Sequence, residues 1–392
     1  MEKRLCEICE IQAGGTPSRS NNEYWLGGGI PWVKISDIKG KYVDSTEEYI
    51  TQLGLDNSSA KVFPKGTILY TIFATLGETG ILSIDAATNQ AIAGLQIVDE
   101  EVIPEYLYFF LCSLKDYVNN IGRGVAQNNI NLGILRNLTI SIPAKETQES
   151  IARKLNKVEE LITLRKKQLQ KLDDLVKARF VEMFGEPIAN PMHWPVRKLS
   201  ELSVLITNGN TPKGGSENYV ENGILFIRSQ NVWRNRIELD DVAYIDEETH
   251  LAMHKSSLRH KDILITKTGR INTENSSLGR AALYLGEDDC ANINGHVYLV
   301  RLDGTAVPEY VVTILTGEAY RKYIRKVCVG GIDKRQINLD QVEDFPIIMP
   351  PLDKQKQFAA FVSQVDKSKL SIQQGLEKLE TLKKSLMQQY FG

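Results

Sequence analysis

Two stretches of the chain carry the clearest hydrophobic period. In the first, apolar residues fall at Ile151, Leu155, Val158, Ile162, Leu169, Leu172 and Val176, in steps of four and three, with Arg165 at the one polar step. In the second they fall at Phe358, Val362, Val365, Ile372, Leu376, Leu379 and Leu386, with Lys369 and Lys383 at the polar steps. That is the a/d seam of a coiled coil, flanked by Lys, Glu and Gln, and neither stretch holds a proline after its first turn. The pattern predicts two long helices, with Arg165 and Lys369 giving up seam stability in return for a fixed register. At ~1.5 Å per residue, Ile151 to Met183 spans roughly 50 Å. Such a helix carries the chain away from what precedes it and its counterpart carries it back. The expected pairing is therefore antiparallel, a dumbbell with pseudo-two-fold symmetry built by one chain. The competing reading is a pair of ordinary amphipathic helices on separate domains.

Outside the heptads the period shortens. IPWVKI (Ile30–Ile35), GTILYTI (Gly66–Ile72), LFIRS (Leu225–Ser229) and DILIT (Asp262–Thr266) are short β-branched or aromatic runs that predict strands. Pro104 and Pro308 stand before apolar runs ending at Leu111 and Leu315, the favoured first position of a helix. The fold class is mixed α/β (α+β), with two sheet-bearing globules and two heptad helices.

The chain is a duplication. Ile130–Gly185 aligns without gaps to Ile337–Gly392, with 15 of 56 positions identical. INL, Pro143/Pro350, Gln148/Gln355 and a closing FG all recur. Upstream, with small gaps, GGTP at Gly14–Pro17 matches GNTP at Gly209–Pro212, and IPEYL (Ile103–Leu107) matches VPEYV (Val307–Val311). GIPWVKISDI from Gly29 matches GILFIRSQNV from Gly223. The order is globule, helix, globule, helix: residues 1–145, 146–185, 186–350 and 351–392. The period is too long for a solenoid.

Composition adds limits. The length of 392 residues suits two or three domains, and no apolar run approaches the ~18 residues of a membrane span. MEKRLCEICE is charged where a signal peptide needs an apolar core, so the expected location is the cytoplasm. Five cysteines do not make a disulfide framework. The duplication then serves as an internal control on metal sites. Cys6 and Cys9, a lone C-x-x-C on a predicted short helix with Leu5 and Ile8, fall opposite Ser200 and Ser203. All five histidines lie in the second half, and the metal-like pair His250 and His254 falls opposite Leu55 and Ser59. No metal site common to both halves is expected. Phosphate-binding glycine loops, HExxH, G-x-S-x-G and DNA-methyltransferase motifs are missing; Asn190-Pro191-Met192-His193 departs from NPPY at its last two positions. The expectation is a chain that is not itself an enzyme, with no catalytic residue and no cofactor.

Lys and Arg number 47 against 49 Asp and Glu, a net charge of −2 that does not by itself suggest a polyanion binder. By segment, 1–145 sums to −4 and 186–350 to −3, while 146–185 gives +2 and 351–392 gives +3. The helices are basic; the globules are mildly acidic, with basic residues grouped in loops. Side chains able to read base edges or hold phosphate are Lys34, Ser36, Asp37, Tyr70, Thr71, Arg123, Gln127 and Asn128 in the first globule. In the second they are Arg228, Gln230, Asn231, Arg234, Lys267, Thr268, Arg270, Lys334, Arg335 and Gln336. For any one of them the plain alternative is a solvated surface residue, so the inference rests on the loops as a group.

The duplicated order of these elements resembles the specificity (S) subunit of type I restriction-modification systems over essentially the whole chain. The motifs are GGTP/GNTP, the strand followed by SDI or QNV, the PKGTIL and HKDILIT strands, the VGGIDKRQINL loop, and P-x-x-x-x-Q before a heptad helix closing in FG. The resemblance implies two target-recognition domains, each reading one half of an asymmetric, split site in double-stranded DNA. It implies that the coiled coil sets the half-site spacing and docks two modification (methyltransferase) subunits, through which restriction subunits join. S-adenosylmethionine is then expected on those partners, in a prokaryotic cytoplasm. The other readings are an autonomous DNA methyltransferase and a two-domain scaffold that does not bind DNA.

Overall fold

The structure, a computed structural model, describes residues 1–122, 129–212, 214–273 and 275–392. Arg123, Gln127 and Asn128 lie outside the described residues. The chain divides into two compact units, one of Met1–Lys167 with Gln373–Gly392 and one of Gln168–Ile372. The heptad stretches form two 40-residue helices, Lys145–Phe184 and Leu352–Phe391. Both unit boundaries fall inside these helices, so each unit holds a part of each helix.

Within each unit the helices run antiparallel. In the first, Lys166 meets Glu380 at 3.1 Å and Glu159 meets Lys383 at 2.7 Å. In the second, Asp173 meets Lys369 at 2.6 Å, and the rings of Phe180 and Phe184 pack on Phe358 at 5.4 and 5.6 Å. Ile151, Leu155, Val158, Phe358, Val365 and Leu376 are buried, while Ile162, Leu169, Leu172, Val362, Ile372 and Leu379 are half-buried. A two-stranded seam covers its apolar residues from one side only, which is why these positions stay partly wet. Lys369 bridges Asp173 and Asp366, so its polar seam position is charge-matched.

Each globule is built around a mostly antiparallel sheet. In the first, five strands run in the order Cys9–Ala13, Ile92–Ile97, Ile68–Thr71, Thr79–Leu82 and Tyr42–Val43. A second sheet of four strands has Ile30–Val33 at its centre. The second globule repeats the first four places with Ser203–Asn208, Val297–Leu302, Ile263–Thr266 and Ala281–Leu283. The predicted strands are therefore present, though shorter than the apolar runs. Pro104 and Pro308 open the helices Pro104–Ser113 and Pro308–Thr316, whose apolar faces join the main core of each unit.

The recurring motifs do the same physical work in both copies. Gln148 and Gln355 are fully buried. Gln148 accepts from the N–H of Ile103 at 3.0 Å and donates to the carbonyls of Glu101 and Pro143 at 2.8 Å. Gln355 accepts from Val307 N–H at 3.1 Å and donates to Pro350 O at 2.9 Å. Each glutamine thus ties the start of its heptad helix to the main chain ahead of the PEY helix. The tyrosine of PEY donates to a strand carbonyl in both copies, Tyr106 to Ser141 and Tyr310 to Ile348, each at 2.9 Å. In GGTP and GNTP, a Cβ on Gly14 or Gly209 would fall 2.0 Å from Thr88 Oγ1 or Ile293 O, so no larger residue fits.

The closing FG is exchanged between copies. Phe184, at the end of the first heptad helix, packs against Tyr310 at 4.9 Å. Phe391, at the end of the second, packs against Tyr106 at 5.2 Å. Each unit is therefore completed by a helix end that belongs, in sequence, to the other copy. Leu5 and Ile8 are buried on a short helix as expected, and burial pushes the Cys9 thiol up to about 12. His250 is buried against the Asn292 amide. Among the described residues, no helix is long and apolar enough to cross a membrane.

Candidate nucleic-acid interface

Four of the candidate side chains are used by the fold itself. Tyr70 and Thr71 are both fully buried, because the strand Ile68–Thr71 is covered on both faces. Thr71 Oγ accepts from Glu78 N–H at 2.8 Å and donates to Thr75 O, stitching the turn that follows. Thr266 in the second copy does the same with Arg280 N–H and Ser277 O. Asp37 and Asn231 are also buried, and they are equivalent turn caps. Asp37 accepts from Lys34 N–H at 2.8 Å, and Asn231 accepts from Arg228 N–H at 2.9 Å. The Asp/Asn difference between the copies is thus an exchange of two capping residues.

Lys34 and Arg228, at matching places, face acids. Lys34 pairs with Glu47 and Glu48 at 3.3 and 2.8 Å. Arg228 donates to the Asp241 carbonyl at 2.7 Å and its carboxylate at 3.1 Å, and Gln230 donates to the same carboxylate at 2.8 Å. Ser36 is exposed on the same turn as Lys34.

The second globule gathers most of the remaining candidates into one surface element. Thr268–Arg270 pairs antiparallel with Lys334–Gln336, in the register Thr268 to Gln336, Gly269 to Arg335 and Arg270 to Lys334. Val329–Gly330 adds a third strand on the far side. Two basic loops distant in sequence thus become neighbours in a three-stranded ribbon. Lys267, just before it, lies over the Tyr298 ring at 5.7 Å. Arg270 and Lys334 are exposed, and Arg335 and Gln336 are half-buried.

A second basic element includes residues that the sequence did not single out. The hairpin Val232–Trp233/Arg236–Ile237 presents Trp233, with the Arg280 guanidinium 3.8 Å from its ring centroid and that of Arg236 at 5.2 Å. Arg280 is held by the carbonyls of Ser276 and Asn275. Burial, reinforced by Arg234, Arg236 and Arg321 and opposed by Glu238, holds its pKa below the usual arginine value. Arg234 is part of this cluster. In the first globule, at a different place, Arg19 is exposed and stacked 3.7 Å from the Trp25 centroid and 4.8 Å from that of Trp32, and it pairs with Glu48. Stacked guanidinium groups are rigid, weakly hydrated donors suited to phosphate or base edges.

Two copies of one sheet module, each fastened to the same pair of heptad helices and each bearing its own polar surface, define a duplicated recognition protein. The chain belongs to the family described as type I restriction modification DNA specificity domain, whose model matches residues 1–174 and 191–383. A type I restriction enzyme specificity subunit of Methanocaldococcus jannaschii, MjaIX, is 25% identical over 98% of this chain and 91% of its own length. The StySPI specificity subunit of Salmonella potsdam is 21% identical over 92% of this chain and 81% of its own. The EcoR124I/EcoR124II specificity subunit of Escherichia coli is 28% identical over 44% of this chain and 47% of its own. Among solved structures, the S subunit of a type I system from M. genitalium matches with a TM-score of 0.55 and 15% identity, covering 100% of this chain and 96% of that one. A chain solved in work on assembly and conformational transition of the type I system matches at 0.57 and 17%, covering 100% and 97%. These two share the fold.

Proposed function

We propose that the chain is the sequence-reading subunit of a type I restriction-modification assembly and carries no catalysis of its own. Each globule reads one half of an asymmetric, bipartite site in double-stranded DNA. The heptad helices set the spacing of the halves and dock two methyltransferase subunits, and restriction subunits join through those. S-adenosylmethionine is bound by the methyltransferase partners, in the cytoplasm of a prokaryote.

One observation carries this reading. The contacts of Gln148/Gln355, Tyr106/Tyr310, Thr71/Thr266 and Phe184/Phe391 recur between the copies. Among the described residues the exposed cations differ, with Arg270 and Lys334 on the ribbon of the second globule and Arg19 on the Trp25 ring in the first. One scaffold carrying two different surfaces suits two different half-sites. The near-neutral charge fits a subunit that supplies specificity while partners make much of the phosphate contact, which governs nonspecific affinity.

The test is methylome sequencing of a host expressing this chain with its methyltransferase subunit. The expected product is a motif of two unlike halves separated by a fixed, unread spacer. Replacing residues 190–350 by the matching globule of a relative should change one half only. A continuous motif, or a graft that changes both halves, would overturn the reading.

A further inference from the structure

The ribbon of the second globule ends in a tip that its folding does not account for. Ile332 is 89% exposed, the most exposed large apolar side chain among the described residues. The turn that carries it is braced. Gly331 N–H donates to Lys334 O at 3.2 Å, and Arg335 Nε donates to Gly331 O at 3.2 Å. Asp333 is held twice, by an ion pair with Arg270 at 3.3 Å and by its carbonyl accepting from Ile271 N–H at 3.0 Å. Gly330 sits at φ 127°, and a Cβ there would meet Lys334 O at 3.0 Å, so the narrow tip needs glycine. A stiff β-branched side chain is thus held away from every core of its unit.

Its surroundings are basic. Arg270 and Lys334 are exposed beside it, and the helix Glu318–Val327 that leads into the ribbon exposes Lys322, Arg325 and Lys326. Within 329–336 the one acid, Asp333, is occupied by Arg270. A protein-docking patch would extend over several apolar neighbours; here the nearest large apolar side chain on the ribbon, Val329, is 39% exposed. One aliphatic residue in a cationic collar is instead complementary to a DNA groove, phosphates outside and base edges within. The major groove, about 12 Å wide, admits a β-ribbon, and the thymine methyl is the apolar feature it displays. The ungapped alignment of the copies sets Gly124-Val125 against Gly331-Ile332, so the sequence repeats a glycine followed by a β-branched aliphatic.

We propose that Ile332 is a base-reading residue, carried into the major groove by the basic ribbon and packed there on the C5 methyl of a thymine. This rests on the DNA-specificity reading above. The experiment uses the full chain assembled with its methyltransferase subunits, and fluorescence anisotropy on the cognate duplex, an unrelated duplex, and cognate duplexes with single thymines replaced by uracil, which lacks the methyl. Ile332→Ala should weaken cognate binding about tenfold, the range of one good base contact, and leave the unrelated duplex within about twofold. One uracil substitution should weaken the wild-type complex severalfold and leave Ile332→Ala unaffected. Because the side chain is exposed, the melting temperature should not move.

Three results would overturn the inference alone: equal cognate affinity for Ile332→Ala and wild type, no uracil position that separates them, or loss of methyltransferase subunits from the Ile332→Ala complex, which would make the tip a protein contact. A wild-type complex that does not distinguish cognate from unrelated DNA would overturn the DNA reading, and the inference with it.

Discussion

Removing the last residues of the chain should loosen its first globule and spare its second. Phe391 lies 5.2 Å from the Tyr106 ring and 6.1 Å from that of Phe110, and Leu386, Met387 and Tyr390 pack with it on the core that holds the sheet of the first unit. A fully buried Phe→Ala change costs about 3–5 kcal/mol; Phe391 is half-buried, so Phe391→Ala should cost ~2 kcal/mol. Deleting residues 386–392 removes all four apolar contacts, for ~4–5 kcal/mol in total, a large part of the 5–15 kcal/mol that stabilises a typical domain. Hydrogen exchange read by mass spectrometry resolves where the loss falls. For Phe391→Ala, peptides over Pro104–Ser113 and Ile68–Thr71 should exchange about 30-fold faster, while Pro308–Thr316 should be unchanged. Phe184→Ala is the mirror experiment. That ring is fully buried, 4.9 Å from Tyr310, and its loss should cost ~4 kcal/mol within the second unit. If the truncation loosened the second unit, or both equally, the exchange of helix ends between copies would be the wrong account.

Gln148→Ala leaves one N–H and two carbonyls without their buried partner, and should lower the stability of the first unit by ~3 kcal/mol; an unmoved urea midpoint would show the clamp to be idle. Asp262 is 2% exposed and takes two hydrogen bonds from Arg301 at 2.9 and 2.7 Å, so Asp262→Ala strands a cation and should cost about 3–5 kcal/mol, seen as an early melt of the second unit in calorimetry. One extra turn, ~5.4 Å, inserted at matched positions in both heptad helices should lengthen the unread spacer by about one to two base pairs. An unchanged spacer in the methylome of that variant would remove the helices as the ruler.

The sequence was most legible where one local rule acts alone. The heptad seam, the proline-started helices and the short β-branched strands follow from period and position, and the duplication follows from recurrence. The sequence is ambiguous where one residue type serves two ends. Asp37 and Asn231 are short and polar, equally suited to a base edge and to a turn, and only their burial separates the two uses. Tyr70 and Thr71 carry side chains able to hydrogen-bond, but packing covers both faces of their strand. The ribbon is half-legible: Lys267–Arg270 and Lys334–Gln336 stand out separately, and no periodicity announces a pairing between segments so far apart. The Arg280–Trp233 stack has the same long-range origin. An isoleucine in a sequence reads as core, and only the structure shows Ile332 exposed.

The recurring contacts also explain how the two copies diverged without losing their frame. The glutamine, tyrosine and phenylalanine that fasten a globule to the helices are matched in the other copy, so either globule offers a Tyr to the incoming Phe and a main-chain N–H to the Gln. These contacts lie at the helices, whereas the basic ribbon and the Arg–Trp stacks belong to other strands and loops. A change in the ribbon therefore leaves the clamp's contacts in place, and a change in the clamp alters no residue of the ribbon. Asp262–Arg301 marks the limit of that independence. The aligned first-copy residue is Thr67, whose hydroxyl donates to Pro64 O, so here the two sheets solve one buried position differently. A graft must then carry each sheet whole, with cuts placed outside its strands, while the glutamine, tyrosine and phenylalanine contacts meet equivalent partners on either side.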